Sequence, residues 1–315
     1  MTIVNSDKEP IVVVLVADNN YAMPLAATAR SAIVNLNNNN RNIEIVIIDG
    51  GIKAYNKKKI VKSIQENNVE IKWVKPDRET FKNMKVYKHF SRAIYYRILI
   101  PKLLPLTVKK VIYLDTDIIV KGDLEQLWNI NIGDNYALAV EDMTVRYVSA
   151  SNGLKKYQEF GIKSDAKYFN SGVLVINLEK WRNENIGDKV IDYIQQYQDE
   201  WLWMDQDGLN AAFAGKWGEL DPKWNQQPKI YKYASWQDSP WEEDVYQDLK
   251  DNPYIVHYST SGKPWSLKCK HPKKDLFFDY LDMTAWSGWR LNFWRRLWLK
   301  VKIETYPYWK PFHRP

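Results

Sequence analysis

The sequence predicts an α/β protein built on a doubly wound, mostly parallel sheet that is flanked by helices. Two continuous β-branched runs, Ile11–Val16 and Ile43–Ile48, have the composition of strands covered on both faces. A third strand is predicted over Val69–Val74, and helical segments separate the three. This alternation of strand and helix is typical of a parallel sheet, in which ligands bind beyond the carboxyl ends of the strands.

The segments that follow the first two strands fit this arrangement. The polar residues 18–21 end the first strand, and Pro24 suits the first turn of a helix that extends to Leu36. The turn Asp49-Gly50-Gly51 ends the second strand. Residues 18–21 are therefore a candidate ligand loop on position alone.

The remaining elements follow from periodicity. In chain order, the sequence predicts a helix over residues 91–104, strands over 111–114, 136–140 and 172–176, helices over 190–201 and 208–214, and a strand over 253–258. The strand at 111–114 delivers the acidic triplet Asp115-Thr116-Asp117 at its carboxyl end, and the last strand includes His257.

Composition limits the classes of partner and compartment. The 315 residues have a formal net charge of +7, which fits nucleic acid, an anionic membrane or a phosphorylated small molecule without choosing among them. The single cysteine, Cys269, excludes an intramolecular disulfide and a cysteine-based zinc site, and it fits a reducing compartment. Residues 1–10 show no secretory signal, and the apolar run at 11–17 is too short to span a membrane. We expect a cytoplasmic protein that is peripheral to the inner face of the cell membrane.

The triplet Asp115-Thr116-Asp117 is the strongest chemical signal. A pair of carboxylates two residues apart is often only a solvated turn, but this pair follows directly on a buried strand, where such a sheet presents its ligand. Carboxylate oxygens suit Mg²⁺ or Mn²⁺. Phosphatases of the haloacid dehalogenase type share the pattern, but Ile119 stands where they carry Thr or Val, and no downstream acidic pair is evident.

A second cluster contains His257 and the step Gly262-Lys263. A lone histidine is more often structural than a ligand. Glycine, however, lets the backbone approach a phosphate, and lysine meets it as a point charge. Together with two carboxylates these residues describe a metal–diphosphate site, and the imidazole favours Mn²⁺ over Mg²⁺.

The ordered motifs resemble those of family 8 glycosyltransferases, over roughly residues 11 to 270. The resemblance depends on six segments, namely residues 17–21, 95–97, 113–117, 169–173, 205–210 and 257–265. It implies a GT-A fold, retention of anomeric configuration, and a hexose, galactose or glucose, donated by a UDP-sugar with Mn²⁺. The acceptor would be a saccharide or a lipid-linked glycan.

The resemblance also implies roles by position. Ala17, Asp18, Asn20 and Tyr21 would contact uridine, Arg97 would lie on the donor side, and Asp115, Asp117 and His257, with Thr116 between the carboxylates, would hold the metal. Gly262 and Lys263 would grip the diphosphate; Asn170, Asp205 and Gln206 would surround the hexose, with Asp142 nearby. Gln206, Asp205 and Asp142 are thus the catalytic candidates, and front-side attack by the acceptor hydroxyl is our hypothesis.

Structural alternatives remain open for several of these residues. Asp205 would instead cap a helix, Asn170 would hold a strand end, and Tyr21 and Arg97 would be packing residues. An inactive UDP-sugar-binding or membrane-scaffolding protein is the alternative function.

Acceptor-side loops are predicted at residues 143–168 and 221–250. Tryptophans in or near these loops would either stack on sugar faces or pack internally, and these are Trp217, Trp224, Trp236 and Trp241.

The chain changes composition near Thr284, so we predict a catalytic domain over residues 1–283 and a tail over 284–315. Tryptophans and basic residues interleave in the tail, and a helical wheel gives one apolar and one basic face. This pattern predicts an amphipathic helix that binds an anionic membrane, with packing on the protein's own core as the alternative. Aromatic and basic residues also bind single-stranded nucleic acid, but no recognition fold accompanies them here, so we expect no nucleic-acid partner.

Overall fold

The computed structural model describes residues 9–38, 40–77, 79–81, 92–197, 203–295 and 297. Nine strands occur in this part of the chain. They are β1 (Ile11–Ala17), β2 (Ile43–Asp49), β3 (Val69–Val74), β4 (Lys110–Leu114), β5 (Ile118–Val120), β6 (Ala137–Glu141), β7 (Phe169–Asn177), β8 (Trp217–Glu219) and β9 (Ile255–His257).

Seven strands form the central sheet, in the order β3-β2-β1-β4-β7-β6-β8. Neighbouring strands are parallel except where β7 runs against β4 and β6. The predicted doubly wound, mostly parallel sheet is therefore confirmed. The reversal matters for the site, because β7 begins at the edge where β1 and β4 end.

Helices cover the sheet. They are α1 (Ala22–Val34), α2 (Ala54–Ile64), α3 (Ile100–Leu103), α4 (Leu124–Asn129), α5 (Leu178–Asn183), α6 (Ile186–Gln196), α7 (Asp205–Phe213), α8 (Glu243–Asp251) and α9 (Lys274–Asp282). β1, β2 and α1 are almost entirely buried, as their continuous apolar composition predicts.

Two predicted helices differ from the structure. Residues 92–99 of the helix predicted over 91–104 form a 3-10 helix, and only 100–103 are α-helical. Pro101 explains the break, because its ring clashes with the carbonyl of Arg97 and it has no N–H to donate there. The helix predicted to reach Trp201 ends at Gln196; residues 198–202 lie outside the described part of the chain.

A small second sheet joins β5 to β9 in antiparallel register, with Ile118 opposite His257. It is held by an apolar cluster of α1, β5, β9 and α9 residues. The cluster consists of Ala27, Ile119, Val256, Tyr258, Phe277, Phe278 and Leu281. Because β5 begins one residue after the acidic triplet, this sheet brings His257 back to it.

The first residues of the predicted tail lie against the folded body. Thr284 is buried, Trp286 packs on the core, and Lys59 Nζ lies 4.2 Å from the Trp286 ring centroid. Phe293 and Trp294 are exposed by 71% and 73%. From residue 298 onwards the predicted helix lies outside the described residues, so the boundary at 284 stays a prediction. Within the described ranges, no helix has the length and apolar character needed to cross a membrane.

Candidate active site and metal centre

The ends of β1 and β4 and the beginning of β7 meet at one edge of the central sheet. β1 ends at Ala17 and β4 at Leu114, whereas β7 begins at Phe169. The Asp115 backbone N–H donates to the carbonyl of Gly172 over 2.8 Å, which fixes the triplet against β7. The arrangement follows from the rule that side chains beyond parallel strand ends share one edge.

Asp115, Asp117 and His257 form a compact group, which we call the triad. One ligand atom from each lies within 4.8 Å of the other two. His257 Nε2 is 3.4 Å from Asp117 Oδ1 and 3.8 Å from Asp115 Oδ2. Two carboxylates and an imidazole suit Mn²⁺ or Mg²⁺, so the donor set fits a divalent cation.

Backbone contacts hold the triplet in shape. The Thr28 hydroxyl of α1 lies 3.1 Å from the Thr116 carbonyl and 2.7 Å from that of Ile118. The Asp117 carbonyl accepts from the Tyr258 N–H over 2.9 Å. These contacts tie the triplet to both α1 and the strand that bears His257.

Lys263 closes the triad on one side. Its ammonium group pairs with Asp117 Oδ2 and donates to the Tyr258 carbonyl over 2.7 Å. Burial alone would raise the pKa of the Asp117 carboxyl, but Lys263 and His257 together outweigh it and hold that pKa well below its usual value. Asp117 is therefore a carboxylate at neutral pH, as a metal ligand must be.

Arg97 connects the triad to α7. Its guanidinium donates to Asp115 Oδ1 over 2.8 Å and to the Ser171 carbonyl over 2.8 Å, and its Nε lies 2.8 Å from Asp205 Oδ2. It stacks on Tyr113, whose hydroxyl also donates to Asp115 Oδ1. Arg97 is 7% exposed, so this three-way contact of its guanidinium, which we call the buried fork, holds Asp115, Ser171 and Asp205 in place inside the protein.

Asp205 does not cap α7, so the capping alternative is wrong. It is the first residue of the helix, after Met204 as N-cap, and its carboxylate faces Arg97 instead. Burial raises the pKa of the Asp205 carboxyl to about 6, even though the Arg97 charge opposes the rise.

A cavity of about 210 Å³ opens beside the triad. It is lined by nine of the predicted site residues, Ala17, Asp18, Asn20, Tyr21, Arg97, Asp115, Thr116, Asp117 and Lys263. Asp18 also has a local role, because its Oδ1 accepts from the N–H groups of Asn20 and Tyr21 and so shapes the loop. Tyr21 packs edge-on against Trp265.

Gly262 lies apart from this cavity. It lines a neighbouring cavity of about 410 Å³ together with Lys268. A Cβ on Gly262 would lie 3.0 Å from the Lys268 carbonyl oxygen, so the loop that presents Lys263 is tight at that point.

The three remaining predicted residues, Asp142, Asn170 and Gln206, bind one another. Asp142 Oδ2 accepts from Asn170 Nδ2 over 2.9 Å and from Gln206 Nε2 over 3.2 Å. Gln206 Oε1 in turn accepts from the Ser171 N–H over 3.0 Å. They form a polar cluster beside β7, and Arg97 links that cluster to the triad through Ser171.

Two residues at the site were missed as contributors. Asn225 is fully buried, with its Oδ1 2.9 Å from His257 Nδ1. Gly172 was part of a motif, but its close approach to His257 was not anticipated. No periodic signal marks Asn225, which lies in the polar stretch Trp224-Asn225-Gln226-Gln227 far along the chain from His257.

The four tryptophans considered for sugar stacking all contact apolar clusters. Trp224 is buried against Tyr254, and Trp217 packs on Phe169. Trp236 and Trp241 pack beside Ile230 and Tyr246. For Trp224, the packing alternative holds.

Sequence comparison places these features among known proteins. The model of the Glycosyl transferase family 8 matches residues 12–269. General stress protein A of Bacillus subtilis (strain 168) is 34% identical over 278 residues, which cover 87% of this chain and 94% of that protein. Lipopolysaccharide 1,2-glucosyltransferase of Escherichia coli (strain K12) is 25% identical, over 86% of this chain and 77% of its own length.

Structural comparison gives the same answer. The galactosyltransferase LgtC, solved in complex with donor and acceptor sugar analogs, superposes with a TM-score of 0.74 at 27% identity. The superposition covers 87% of this chain and 96% of that one. The predicted GT-A fold is confirmed by this similarity.

Proposed function

This chain belongs to glycosyltransferase family 8, and from that premise we propose that it transfers a hexose, galactose or glucose, from a UDP-sugar with retention of configuration. The observation that carries the proposal is the grouping of Asp115, Asp117 and His257 beside the cavity that Lys263 lines. The haloacid dehalogenase reading of the acidic pair is set aside by the family match.

The diphosphate end of the donor is assigned to the triad and Lys263. A divalent cation, Mn²⁺ by the imidazole in the donor set, would be held by the three ligands and would neutralise charge on the departing UDP. Lys263 already lies against Asp117, so its ammonium is positioned to contact a phosphate beside the metal ligands. Together they would stabilise the leaving group where its charge develops.

The uridine end is assigned to the loop after β1. Asp18, Asn20 and Tyr21 line the same cavity as the triad. Tyr21 offers an aromatic face and Asp18 a carboxylate, and the loop is shaped by its own side-chain hydrogen bonds. A planar base with N–H donors fits this set of groups.

The sugar end supports front-side attack. Asp142 Oδ1 accepts from the N–H groups of Thr144 and Val145, and its Oδ2 accepts from Asn170 and Gln206. Asp205 is tied to Arg97. Because both carboxylates are engaged in these contacts, neither is offered as the nucleophile. We infer instead that the acceptor hydroxyl bonds to C1 as the bond from C1 to the UDP oxygen breaks on the same face, and that its proton passes to the departing diphosphate, without a covalent enzyme intermediate.

The acceptor is proposed to be a saccharide or a lipid-linked glycan, in lipopolysaccharide or other cell-surface glycan synthesis. The exposed apolar side chains of Phe293, Trp294 and Leu297 and the exposed, basic Arg295 support a peripheral contact with an anionic membrane. A cytoplasmic enzyme on the inner face of the membrane would meet a lipid-linked acceptor there.

Donor hydrolysis tests the proposal. Purified protein is incubated with UDP-galactose, UDP-glucose or GDP-mannose, with Mn²⁺ or with EDTA, and nucleoside diphosphate release is measured. We expect Mn²⁺-dependent release from one of the two UDP-hexoses, and loss of that release in Asp115→Ala and Asp117→Ala. Asp248→Ala, which removes an exposed carboxylate paired with Lys223, should keep the wild-type rate.

The donor-hydrolysis assay, combined with a thermal-stability measurement, distinguishes the alternative function. An inactive UDP-sugar-binding protein would be thermally stabilised by a UDP-sugar with Mn²⁺ but would release no UDP. Release from GDP-mannose alone, or release that EDTA does not reduce, would contradict the proposed donor and metal.

A further inference from the structure

A buried line of polar side chains leads from Asp142 to His257. Asp142 Oδ2 accepts from Asn170 Nδ2 over 2.9 Å, Asn170 Oδ1 accepts from Asn225 Nδ2 over 2.9 Å, and Asn225 Oδ1 lies 2.9 Å from His257 Nδ1. All four residues are at most 7% exposed. We refer to Asp142, Asn170 and Asn225 as the amide relay.

The orientation of the relay is set at its first residue. The carboxylate of Asp142 is surrounded by donors only, since Thr144 and Val145 present backbone N–H groups to Oδ1. It therefore acts as an acceptor, and Asn170 must turn its amide nitrogen toward it. The Asn170 oxygen then faces the Gly172 N–H, 3.0 Å away, which can only donate.

That orientation passes to Asn225 and to the imidazole. Because the Asn170 oxygen is an acceptor, Asn225 must present its nitrogen there and its oxygen to His257. An oxygen at Nδ1 requires the proton to be on Nδ1, which leaves the lone pair on Nε2. Reversing either amide would set two acceptors or two donors face to face in a buried place, which leaves buried polar atoms without a hydrogen bond.

This tautomer determines which ring nitrogen faces the candidate metal centre. Nε2 is the atom that faces Asp117 Oδ1 and Asp115 Oδ2. An unprotonated Nε2 can coordinate a cation between those oxygens, whereas the other tautomer would direct an N–H at it.

We propose that Asp142, Asn170 and Asn225 are positioning residues that hold His257 as the Nδ1–H tautomer, with the Nε2 lone pair facing Asp115 and Asp117. Asp142 thus acts at a distance on a ligand of the metal site, and the same oxygen also holds Gln206 on the sugar side. The consequence for metal affinity rests on the proposed function; the tautomer itself does not.

The tautomer is measured by ¹⁵N NMR of the full chain labelled at its four histidines, without metal, in a pH series, from the spectra in which His257 has one protonated and one bare ring nitrogen. The His257 signals are assigned by their loss in His257→Gln. We expect Nδ1 to be protonated and Nε2 to be bare. In Asn225→Ala we expect a mixture of tautomers or the reversed one, and Mn²⁺ affinity, read from the EPR signal of free Mn²⁺, about 10–100-fold weaker.

A second variant and a control keep the test decisive. Asp142→Asn preserves size but sets an amide donor against the Asn170 nitrogen, so only the Gly172 N–H then orients Asn170; the tautomer should shift in the same direction as in Asn225→Ala, to a smaller extent. Asn68→Ala removes a half-buried asparagine that donates to the Arg41 carbonyl just before β3, at the edge of the central sheet opposite the triad, and it should leave both readouts unchanged.

The outcomes separate the two proposals. A wild-type spectrum with Nε2 protonated overturns the relay, as does a folded Asn225→Ala that keeps the tautomer and the Mn²⁺ affinity. The predicted wild-type tautomer in a protein that binds no Mn²⁺ supports the relay and contradicts the proposed function instead.

Discussion

Gly172 lies directly against the imidazole ring of His257. A Cβ atom built on Gly172 would stand 2.3 Å from His257 Cε1 and 3.0 Å from Asp115 Oδ2. No real Cβ is accommodated at the first distance, so His257 and Asp115 are packed against bare backbone. The residue is central to β7 and donates its N–H to Asn170 Oδ1, so the strand cannot simply move away.

Gly172→Ala should therefore displace His257 from the carboxylates. We expect Mn²⁺ affinity to fall at least about 10-fold, because a displaced ligand loses its coordination geometry. EPR titration of free Mn²⁺ measures it. Gly218→Ala is the matched control, since its Cβ would meet Leu138 Cδ2 at 2.5 Å on β8, the last strand of the central sheet. Equal Mn²⁺ affinity in the two folded variants would show that Gly172 does not position the ligand.

Arg97→Lys tests the buried fork between the triad and α7. Lysine keeps the charge but cannot contact Asp115, Asp205 and Ser171 together, so at least one of these acceptors loses its contact with residue 97. We expect the free energy of unfolding to fall by about 3 kcal/mol, measured by urea denaturation. Arg30→Lys, at a surface pair with Glu66, should change it by less than about 1 kcal/mol. An equally small effect at Arg97 would argue against its role.

Asp205 should make stability depend on pH. Its pKa is raised from 3.8 to about 6, so the folded chain binds the proton more tightly than the unfolded chain. The stability it contributes is present below about pH 4 and is lost as pH rises through about 6, by about 3 kcal/mol in all. Urea denaturation of wild type and Asp205→Asn across this range gives the difference. Wild type should lose stability relative to Asp205→Asn as pH rises; a constant difference would contradict the raised pKa.

Phe293 and Trp294 test the proposed membrane contact. Both side chains are exposed, whereas Trp286 nearby packs on the core, so the double change to alanine should leave the fold intact. We expect pelleting with anionic vesicles to fall several-fold, because each aromatic ring loses apolar burial worth about 1.5–3 kcal/mol. Leu106→Ala, at 79% exposure, is the control. Unchanged pelleting of the double variant would remove these two residues from the contact.

Much of the fold was predictable because long buried strands have continuous apolar sequences that are recognisable without the structure. Ile11–Val16 and Ile43–Ile48 are continuous apolar runs, and the structure extends each by only one residue. The direction of β7 was not predictable, since the pattern of apolar residues indicates which residues are buried but not whether a strand runs parallel or antiparallel to its neighbours. β5 and β8 are three residues long, too short for a periodic signal. The helix α4 was overlooked although Asp123 caps it and Leu127 and Trp128 provide its apolar side.

The site was predictable where residue type alone specifies chemistry. Asp115, Asp117, His257 and Lys263 were singled out from sequence, and the structure brings them together. Asn225 could not be found this way, because its importance lies in which atom faces His257 across 32 residues of chain. The sequence around Asp205 is also compatible with a helix-capping role. The contact of its carboxylate with Arg97, which only the structure shows, excludes that role.

The central claim is that the triad and Lys263 bind a diphosphate through a divalent cation. Calorimetric titration of UDP and of uridine, each with Mn²⁺ and with EDTA, tests it most directly. Mn²⁺ should tighten UDP binding at least about 10-fold and leave uridine unchanged, because only UDP has phosphate oxygens to share the cation. The gain should vanish in Asp117→Ala and persist in Asp248→Ala. An equal gain for uridine, or a gain that survives Asp117→Ala, would contradict the account.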